Sequence, residues 1–337
     1  MTKAIIDDVA NLAGVSIKTV SRVMNKEPNV RATTREKVLK AADELNYKPN
    51  QSARGLAGNK TYLIALLYDN PGPSYMANIQ TGILETCEAQ GYGMVLKPVT
   101  CEGEVPLLEQ VLDFMAHSRV DGLILTPPVC DDVIFKSLLT EKNIPYVSVA
   151  PPDRGDKLAV LIDDRRAAAE MTDHLIDLGH KKIAFIKGDP AHGAGKLRYN
   201  GFVDAMKKSN LPIESDLIEE GMFTFDSGIR AAENYLNLDP MPTAIFSAND
   251  EMASGVMQKL SEKGYHIPKD ISVVGFDDTP ISRQIWPPMT TVHQPVRSMG
   301  RLACEILLHA VNNREGERTL EIPFNMEFRK SSGTLPA

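Results

Sequence analysis

Residues 5–24 read IIDDVANLAGVSIKTVSRVM, and this stretch decides how the amino-terminal part of the chain folds. Its first half carries apolar residues at helical spacing: Ile6, Val9, Ala10 and Ala13. The series stops at Gly14, which permits a tight turn. Ser16 then offers an N-cap for a second short helix with Val20 and Val23 on its apolar face. Two short helices joined in this way predict a helix-turn-helix.

A third helix is predicted to follow this pair. Thr33-Thr34-Arg35-Glu36 has the pattern of a capping box at a helix start. The residues expected to face inward from this helix are Val38, Leu39, Ala42 and Leu45. We therefore expect a three-helix head over residues 1–49.

The polar side of the second helix carries the candidate DNA-reading residues: Ile17, Lys18, Thr19, Ser21, Arg22 and Asn25. In a helix-turn-helix the N-terminal end of the second helix enters the major groove. Arg and Lys there donate to guanine, and an aliphatic side chain contacts a thymine methyl. A small three-helix packing module with a solvated polar face would show the same pattern.

Charge is divided unevenly along the 337 residues. Residues 1–60 hold 11 Lys and Arg against 6 Asp and Glu, whereas the whole chain has a formal net charge of −7. A basic head on an acidic body is expected when one end of a protein meets phosphate. An ordinary solvated helical surface explains the charge equally well.

Six motifs run along the whole head: Asp8-Val9-Ala10, Ala13-Gly14-Val15-Ser16, Thr19-Val20-Ser21-Arg22-Val23, Thr34-Arg35-Glu36-Lys37-Val38, Leu45-Asn46-Tyr47-Lys48-Pro49-Asn50 and Ala53-Arg54-Gly55-Leu56-Ala57. Together they closely resemble the lactose-repressor (LacI/GalR) family of transcription regulators. The resemblance implies that Ile17, Lys18 and Arg22 read base edges. It assigns phosphate contacts to a second set: Ser16, Thr19, Ser21, Asn25, Thr34 and Tyr47. Ile6, Asn29, Asn50 and Ala53 are further DNA contacts on the same basis.

Two features of the head modify this resemblance. Ile5 stands where the first helix of the family often begins with a hydroxyl cap, and Asp7 and Asp8 partly compensate at the positive helix end.

Residues 50–60 resemble the family's hinge helix, and the resemblance implies that Leu56 wedges into the minor groove. A helix this short is marginal in water, and Gly55 inside it costs roughly 1 kcal/mol relative to Ala. We therefore expect the hinge to order only when two copies pack together on DNA.

From Tyr62 onward, short apolar runs alternate with helical patterns. The predicted strands are Tyr62–Tyr68, Met94–Pro98, Gly122–Thr126, Tyr146–Ala150, Ala159–Ile162, Lys182–Ile186, Ala244–Ser247 and Ser272–Phe276. The predicted helices are Ile79–Ala89, Leu107–His117, Ala167–Leu178, Asp226–Leu236 and Met252–Lys263. This alternation predicts an α/β body with parallel sheets, which binds ligands at the carboxyl ends of its strands.

The body shares further motifs with the same family: Leu178-Gly179-His180-Lys181-Lys182-Ile183-Ala184, Ala248-Asn249-Asp250 and Val273-Val274-Gly275-Phe276-Asp277-Asp278. The resemblance implies a ligand-sensing, dimerising body over residues 61–337, with two lobes like a periplasmic sugar-binding protein. One lobe would take about 61–162 and 291–322, and the other about 163–290 and 323–332. The chain would cross between the lobes near residues 162, 290 and 323.

A sugar site needs hydrogen-bonding side chains and an aromatic face for the ring. Arg198, Asn249 and Asp277 correspond to family effector-binding positions and are expected to grip vicinal hydroxyls. Phe223 occupies the place of the family's stacking aromatic, and the other lobe offers Tyr75 and Gln294. Loop stabilisation is the commoner role for any one of these residues taken alone.

The family pattern is broken in three places near the expected site. They are Asp163-Asp164-Arg165, Val149-Ala150-Pro151 and the proline-rich loop Asn70–Tyr75. These departures leave the sugar unnamed.

Enzyme signatures are weak. Gly188–Leu197 resembles a phosphate-binding loop, but Pro190 stands where a glycine is required and Leu197 where Ser or Thr is required. His174 and His180 are six residues apart, the wrong spacing for metal ligands one helical turn apart. We predict no cofactor and no metal. A sugar-metabolising enzyme with a DNA-binding head is a distant alternative.

Cysteines and termini indicate the compartment. The four cysteines lie far apart in the sequence, and their spacing suits neither zinc nor a disulfide framework. The N-terminus is too charged for a signal peptide, and no apolar run approaches a membrane span. We expect a cytoplasmic location.

The sequence as a whole predicts a homodimeric DNA-binding repressor of carbohydrate-utilisation genes. It would bind a pseudo-palindromic operator and be released by a mono- or disaccharide. A corepressor acting through the same pocket is the alternative.

Overall fold

The computed structural model describes residues 4–24, 29–47, 60–69, 72–312 and 318–335. The chain separates into two compact units, Met1–Tyr62 and Leu63–Ala337. Among the described residues, no helix combines the length and the apolar character needed to span a membrane.

The head contains α1 (Ile6–Ala13), α2 (Ile17–Met24) and α3 (Ala32–Glu44). Gly14 ends α1 with a φ of 65°, a left-handed conformation that glycine adopts without a Cβ penalty. The Oγ of Ser16 accepts a hydrogen bond from the backbone N–H of Thr19 at 3.2 Å, so the predicted N-cap is present. Val20 and Val23 are buried in a core that all three helices share. The predicted helix-turn-helix is confirmed.

The third helix differs from its prediction in two ways. It begins at Ala32 without a side-chain cap, so the predicted capping box is wrong; the backbone oxygen of Arg31 instead accepts from the N–H groups of Thr34 and Arg35. Leu39 is 49% exposed, and Ala41 faces inward in its place. The reason is helical periodicity, because positions 38, 41, 42 and 45 form one stripe and position 39 lies off it.

The body alternates strands and helices along the chain. Its strands are β1 (Leu63–Tyr68), β2 (Gly93–Pro98), β3 (Gly122–Leu125), β4 (Tyr146–Val149), β5 (Leu158–Leu161), β6 (Ile183–Ile186), β7 (Ile218–Glu219), β8 (Ala244–Ser247), β9 (Ser272–Val274), β10 (Thr291–His293), β11 (Arg318–Glu321) and β12 (Asn325–Glu327). Its helices are α4 (Pro73–Gln90), α5 (Leu107–Ser118), α6 (Val133–Glu141), α7 (Asp164–Asp177), α8 (Gly193–Lys208), α9 (Phe225–Leu236), α10 (Asp250–Glu262), α11 (Ile281–Gln284) and α12 (Val296–Val311). Short 3-10 turns occupy Val129–Asp131 and Ser215–Leu217.

Ten of these strands form two parallel sheets, each of which defines a lobe. Lobe 1 has the strand order β11-β5-β4-β3-β1-β2, and lobe 2 has the order β7-β6-β8-β9. The chain leaves lobe 1 after β5, returns through β10 and crosses again through β12; β10 and β12 pair antiparallel. Parallel pairing aligns the carboxyl ends of the strands in each sheet, which is where side chains for a ligand are expected.

Every strand predicted for the body is present, with ends shifted by at most two residues. One helix differs more, since α4 begins at Pro73 rather than Ile79. Proline suits the first helical turn, where no intrahelical N–H is needed. Tyr75 therefore lies on a helix and not in a proline-rich loop.

The predictions omit helices α6, α8, α11 and α12 and the short strands β7, β10, β11 and β12. Helix α8 opens with Gly193-Ala194-Gly195, and glycine is a poor helix former. Helix α12 packs on α4 and also on β3, β4 and β5. Its buried residues recur at helical spacing, so the sequence does carry the pattern of this helix: Val296, Met299, Gly300, Ala303, Cys304 and Leu307. The same packing brings Cys87 and Cys304 together, with their sulfur atoms 3.7 Å apart as free thiols. These two residues are 217 positions apart in the sequence, so only the fold brings them together.

Candidate effector pocket and DNA-reading surface

A cavity of about 60 Å³ lies between the two lobes of the body. Its lining residues follow the carboxyl ends of strands from both sheets: Pro127 follows β3, Ala150 follows β4, Asn249 follows β8 and Asp277 follows β9. All six side chains predicted to contact an effector line this one cavity: Tyr75, Arg198, Phe223, Asn249, Asp277 and Gln294. The sequence places these residues in separate motifs, and the fold brings them together.

Arg198 lies in the second turn of α8 and is only 5% exposed. Its Nε donates to Oδ1 of Asp164 at 2.8 Å, and its Nη1 donates to the backbone oxygen of Ala248 at 2.6 Å. The guanidinium also lies 3.7 Å from the centre of the Phe276 ring, within the range of a cation–π contact. These contacts hold the guanidinium in one orientation at the pocket wall.

Asp277 shares one oxygen between two donors. Its Oδ1 accepts from Nη1 of Arg198 at 3.3 Å and from Nε2 of Gln294 at 2.6 Å. Burial raises the pKa of Asp277 to about 6, and the nearby Arg198 and Gln294 oppose this shift. Because both bonds fall on Oδ1, the second oxygen is left to accept from a ligand.

Asn249 and Phe223 are coupled. Asn249 caps α10 by accepting from the N–H of Met252 at 2.9 Å, and its Nδ2 donates to the backbone oxygen of Phe223 at 3.0 Å. Phe223 has a φ of 56°, a left-handed value that is uncommon outside glycine. Its ring packs directly against Gly188, where an added Cβ would lie 1.9 Å from a ring carbon. Asn249 thus has a structural role in addition to any contact with a ligand.

Two polar groups at the cavity are buried without a partner. The hydroxyl of Tyr75 and both ring nitrogens of His192 have no hydrogen bond to any residue that the structure describes. The nearest carboxylate oxygen, Oδ2 of Asp189, lies 3.9 Å from Nδ1 of His192. Burial lowers the pKa of His192, so the neutral ring presents one donor and one acceptor. An unpaired buried polar group costs about 1–3 kcal/mol of stability. A ligand that hydrogen-bonds to these groups would remove this cost.

Sequence reasoning missed two residues of this site, His192 and Asp164. His192 stands in the segment Gly188–Leu197, which in the sequence resembles an incomplete phosphate-binding loop. Its position a few residues after the predicted strand Lys182–Ile186 is the signal that could have found it. Asp164 belongs to a motif noted only as a departure from the family, and the structure shows it buried against Arg198.

The head presents the N-terminal end of α2 to solvent. Ile17 is 46% exposed and Lys18 is also exposed. Ser16 and Thr19 join their hydroxyls at 2.9 Å. At α1, the carboxylate of Asp8 accepts from the N–H of Ile5 at 2.9 Å, which supplies the missing cap.

The remaining predicted DNA contacts divide into two groups. Asn29 is exposed, whereas the half-buried residues are Ile6, Ser21, Arg22, Thr34 and Tyr47. Burial raises the pKa of Tyr47, whose ring packs on the head core. Asn25, Asn50, Ala53, Leu56 and the other hinge residues up to 59 lie outside the described residues.

Comparison with known proteins agrees with both parts of the chain. A model of bacterial regulatory proteins of the lacI family matches residues 5–50, and a model of the periplasmic binding protein-like domain matches residues 172–332. Catabolite control protein A of Priestia megaterium is 35% identical over 333 residues, which cover 97% of this chain and 98% of that protein. The chain belongs to the LacI family.

Further relatives and solved structures match this chain over most or all of their length. The HTH-type transcriptional repressor PurR of Vibrio campbellii is 36% identical over 316 residues, or 94% of each chain. Among solved structures, a lac repressor dimer bound to operator and the anti-inducer ONPF has a TM-score of 0.80 at 30% identity, covering 98% of this chain and 100% of that one. A complex of the regulator CelR with cellobiose has a TM-score of 0.73 at 30% identity over the same shares of the two chains.

This LacI-family member is therefore a DNA-binding transcriptional regulator and not an enzyme, because its relatives are regulators over the full length of the match. The segment that resembled a phosphate loop instead leads into α8, with His192 immediately before the first helical residue.

Proposed function

We propose that this LacI-family regulator represses carbohydrate-utilisation genes and leaves its operator when a mono- or disaccharide binds between the lobes. One observation carries the proposal. The six residues predicted from separate motifs line a single cavity, where the Tyr75 hydroxyl and the His192 ring are buried without partners. Hydrogen-bonding groups beside the face of Phe223 suit a ring that bears hydroxyls on its edge and C–H groups on its faces. The CelR–cellobiose complex is a related structure that holds such a ligand.

The switch follows from the size of the pocket. A cavity of about 60 Å³ is small beside the ~300–1,000 Å³ typical of ligand sites, so a sugar has to move Phe223 or the lobes themselves. A ligand shifts such an equilibrium only through different affinities for the two arrangements. Separation of the paired hinge segments, residues 50–60, would then release the DNA.

A corepressor is the second candidate function. The related lac repressor structure holds operator and an anti-inducer at the same time, so in that protein a bound small molecule and bound DNA coexist. A ligand that favours the DNA-bound arrangement of this chain would strengthen repression through the same pocket.

On DNA, the proposed base readers are Ile17, Lys18 and Arg22, and Leu56 opens a central base step. Phosphate contacts come from the remaining head residues, which set the docking angle without specifying sequence. A homodimer matches the two halves of a pseudo-palindromic operator. Because it acts on DNA, we propose that the protein works in the cytoplasm.

Selection from a random DNA library tests operator recognition, because we expect an inverted repeat to be enriched. Calorimetry against a sugar panel, with and without the selected DNA, then tests the effector. A sugar that binds the free protein and weakens operator binding supports induction, and one that strengthens operator binding supports corepression. Absence of binding by every sugar would overturn the effector proposal.

Assembly has a separate test. Light scattering at low micromolar concentration is expected to give the mass of a dimer. A stable tetramer would contradict the proposed assembly, and a monomer on DNA would contradict the paired hinge.

A further inference from the structure

A second cavity, of about 520 Å³, lies beside the effector pocket between the same two lobes. Lobe 1 contributes Asp69 and Glu102 to its lining, and lobe 2 contributes Asp189 and Met222. His192 lines both this outer cleft and the inner pocket. The outer cleft therefore adjoins the effector site and offers the room that the inner pocket lacks.

The outer cleft is acidic. Its lining includes the carboxylates of Asp69, Glu102 and Asp189, and no Lys or Arg stands among the described residues that line it. The backbone N–H of Cys101 donates to Oδ2 of Asp69 at 2.8 Å, and the backbone N–H of Ala191 donates to Oδ1 of Asp189 at 2.8 Å. Such hydrogen bonds orient a carboxylate and leave its negative charge uncompensated.

The inner pocket does not supply the missing positive charge. Arg198 is its buried cation, and this guanidinium already faces two carboxylates, Asp164 and Asp277. Carboxylates therefore outnumber cations around the wall that the two cavities share, and the electrostatic potential there is negative. A ligand spanning both would be favoured by a positive charge at its outer end and disfavoured by a phosphate.

His192 supplies an observation that is independent of the charges. The side chain is only 3% exposed, and neither ring nitrogen has a hydrogen-bond partner among the described residues. A neutral imidazole requires one acceptor and one donor from its ligand. A sugar hydroxyl can accept from one ring nitrogen, and a second hydroxyl or an ammonium group can donate to the other.

We infer that the effector carries an ammonium group, with its ring in the inner pocket and the ammonium in the acid-lined outer cleft. The inference deepens the proposed function and rests on it, because it specifies the chemical class of the sugar: an amino sugar. Asp69 and Asp189 select the charge of the ligand, whereas the inner pocket selects its hydroxyl pattern.

Calorimetry with matched ligands tests this inference on the full-length protein. The probes are glucose, galactose and mannose, with the 2-amino and 6-phosphate derivative of each, and cellobiose with its diamino counterpart. For the sugar that binds, we expect the amino derivative to bind about tenfold or more tightly than the neutral form. Opposite charges at contact distance are worth about fivefold in affinity in bulk water and more in a cleft of lower dielectric constant. The phosphate derivatives are expected to bind more weakly than the neutral sugars.

Isosteric variants separate charge from structure. Asp69→Asn and Asp189→Asn keep an oxygen that accepts from the Cys101 and Ala191 N–H groups, so the fold should persist, as thermal denaturation checks. In the double variant the advantage of the amine should disappear while the neutral sugar binds as before. Asp216→Asn, at an exposed acid in the 3-10 turn Ser215–Leu217, is the matched control and should leave the advantage intact.

The possible outcomes are distinct. Equal binding of amine and neutral sugar, tighter binding of a phosphate derivative, or an amine advantage that survives in the double variant would overturn the inference and leave the sugar pocket standing. Failure of every probe to bind would overturn the sugar effector and the inference together.

Discussion

Arg198 and Asp164 form an ion pair inside lobe 2, with Nε 2.8 Å from Oδ1 and side chains only 7% and 4% exposed. Removal of one partner from such a pair leaves a buried charge without compensation. The pair is therefore a structural element of the lobe as well as part of the pocket wall, and this affects how a variant at either position is interpreted.

We expect Arg198→Ala to lower the free energy of unfolding by about 3–5 kcal/mol, because Asp164 would remain buried and unpaired. Urea denaturation measures the loss. Lys208→Ala is the matched control, since Lys208 pairs with Asp173 at the surface with its own side chain 71% exposed. It should cost far less, because an exposed ion pair contributes little to stability. Equal losses in the two variants would show that the buried pair contributes no more than a surface one.

Effector binding should weaken as the pH falls through about 6, because Asp277 then becomes protonated and loses its charge as an acceptor. Stability responds in the opposite direction. The folded-state pKa lies above the ordinary value of 3.8, so the protonated form stabilises the fold at low pH, and this contribution is lost as the pH rises through 6.

Asp131 also has a pKa raised by burial to about 6, and His192 titrates below its ordinary range, so the pH profile needs a reference. Asp277→Asn provides it. Calorimetry between pH 5 and pH 8 should show a smaller pH dependence of binding in the variant than in the wild type. Superimposable profiles would exclude Asp277 as the titrating group.

The two buried histidines of lobe 2 should respond oppositely to the same substitution. His192→Leu removes two unpaired nitrogens and should leave stability unchanged or raise it, because replacing an unsatisfied buried group removes a desolvation penalty. His180→Leu breaks bonds of 3.0 Å to Thr243 and Ser272 and should cost about 1–3 kcal/mol. Thermal denaturation compares the two variants. Only His192→Leu should weaken binding of the effector; normal binding by this variant would place the ligand elsewhere.

Arg22→Ala should cost on the order of 1–3 kcal/mol on the selected operator and relax the base preference at one symmetric position per half-site. Thr34→Ala, at a proposed phosphate contact, should instead weaken binding equally on all sequences. Binding assays on an operator and its single-base variants distinguish the two patterns. A uniform loss in Arg22→Ala would reassign Arg22 to the phosphates.

The candidate site was predictable to different degrees. Asn249 and Asp277 follow predicted strands, and strand ends in parallel sheets are where ligands bind, so their place in the pocket follows from local pattern. Tyr75 was expected in a loop and lies on α4, because the apolar pattern begins only after the first turns of that helix. His192 has no local signal of burial, and only the packing of two lobes around it shows that its nitrogens lack partners.

What the sequence determined by itself is the helix-turn-helix and the alternation of strands and helices, because helical and strand periodicities are local properties of the chain. What only the tertiary structure decided is which polar groups meet. Arg198 and Asp277 are 79 residues apart and Cys87 and Cys304 are 217 apart, and no pattern within either segment encodes the contact. Burial and electrostatics at the pocket arise from these long-range contacts, since a charge or a lone pair acquires its energy from the groups that the fold places around it.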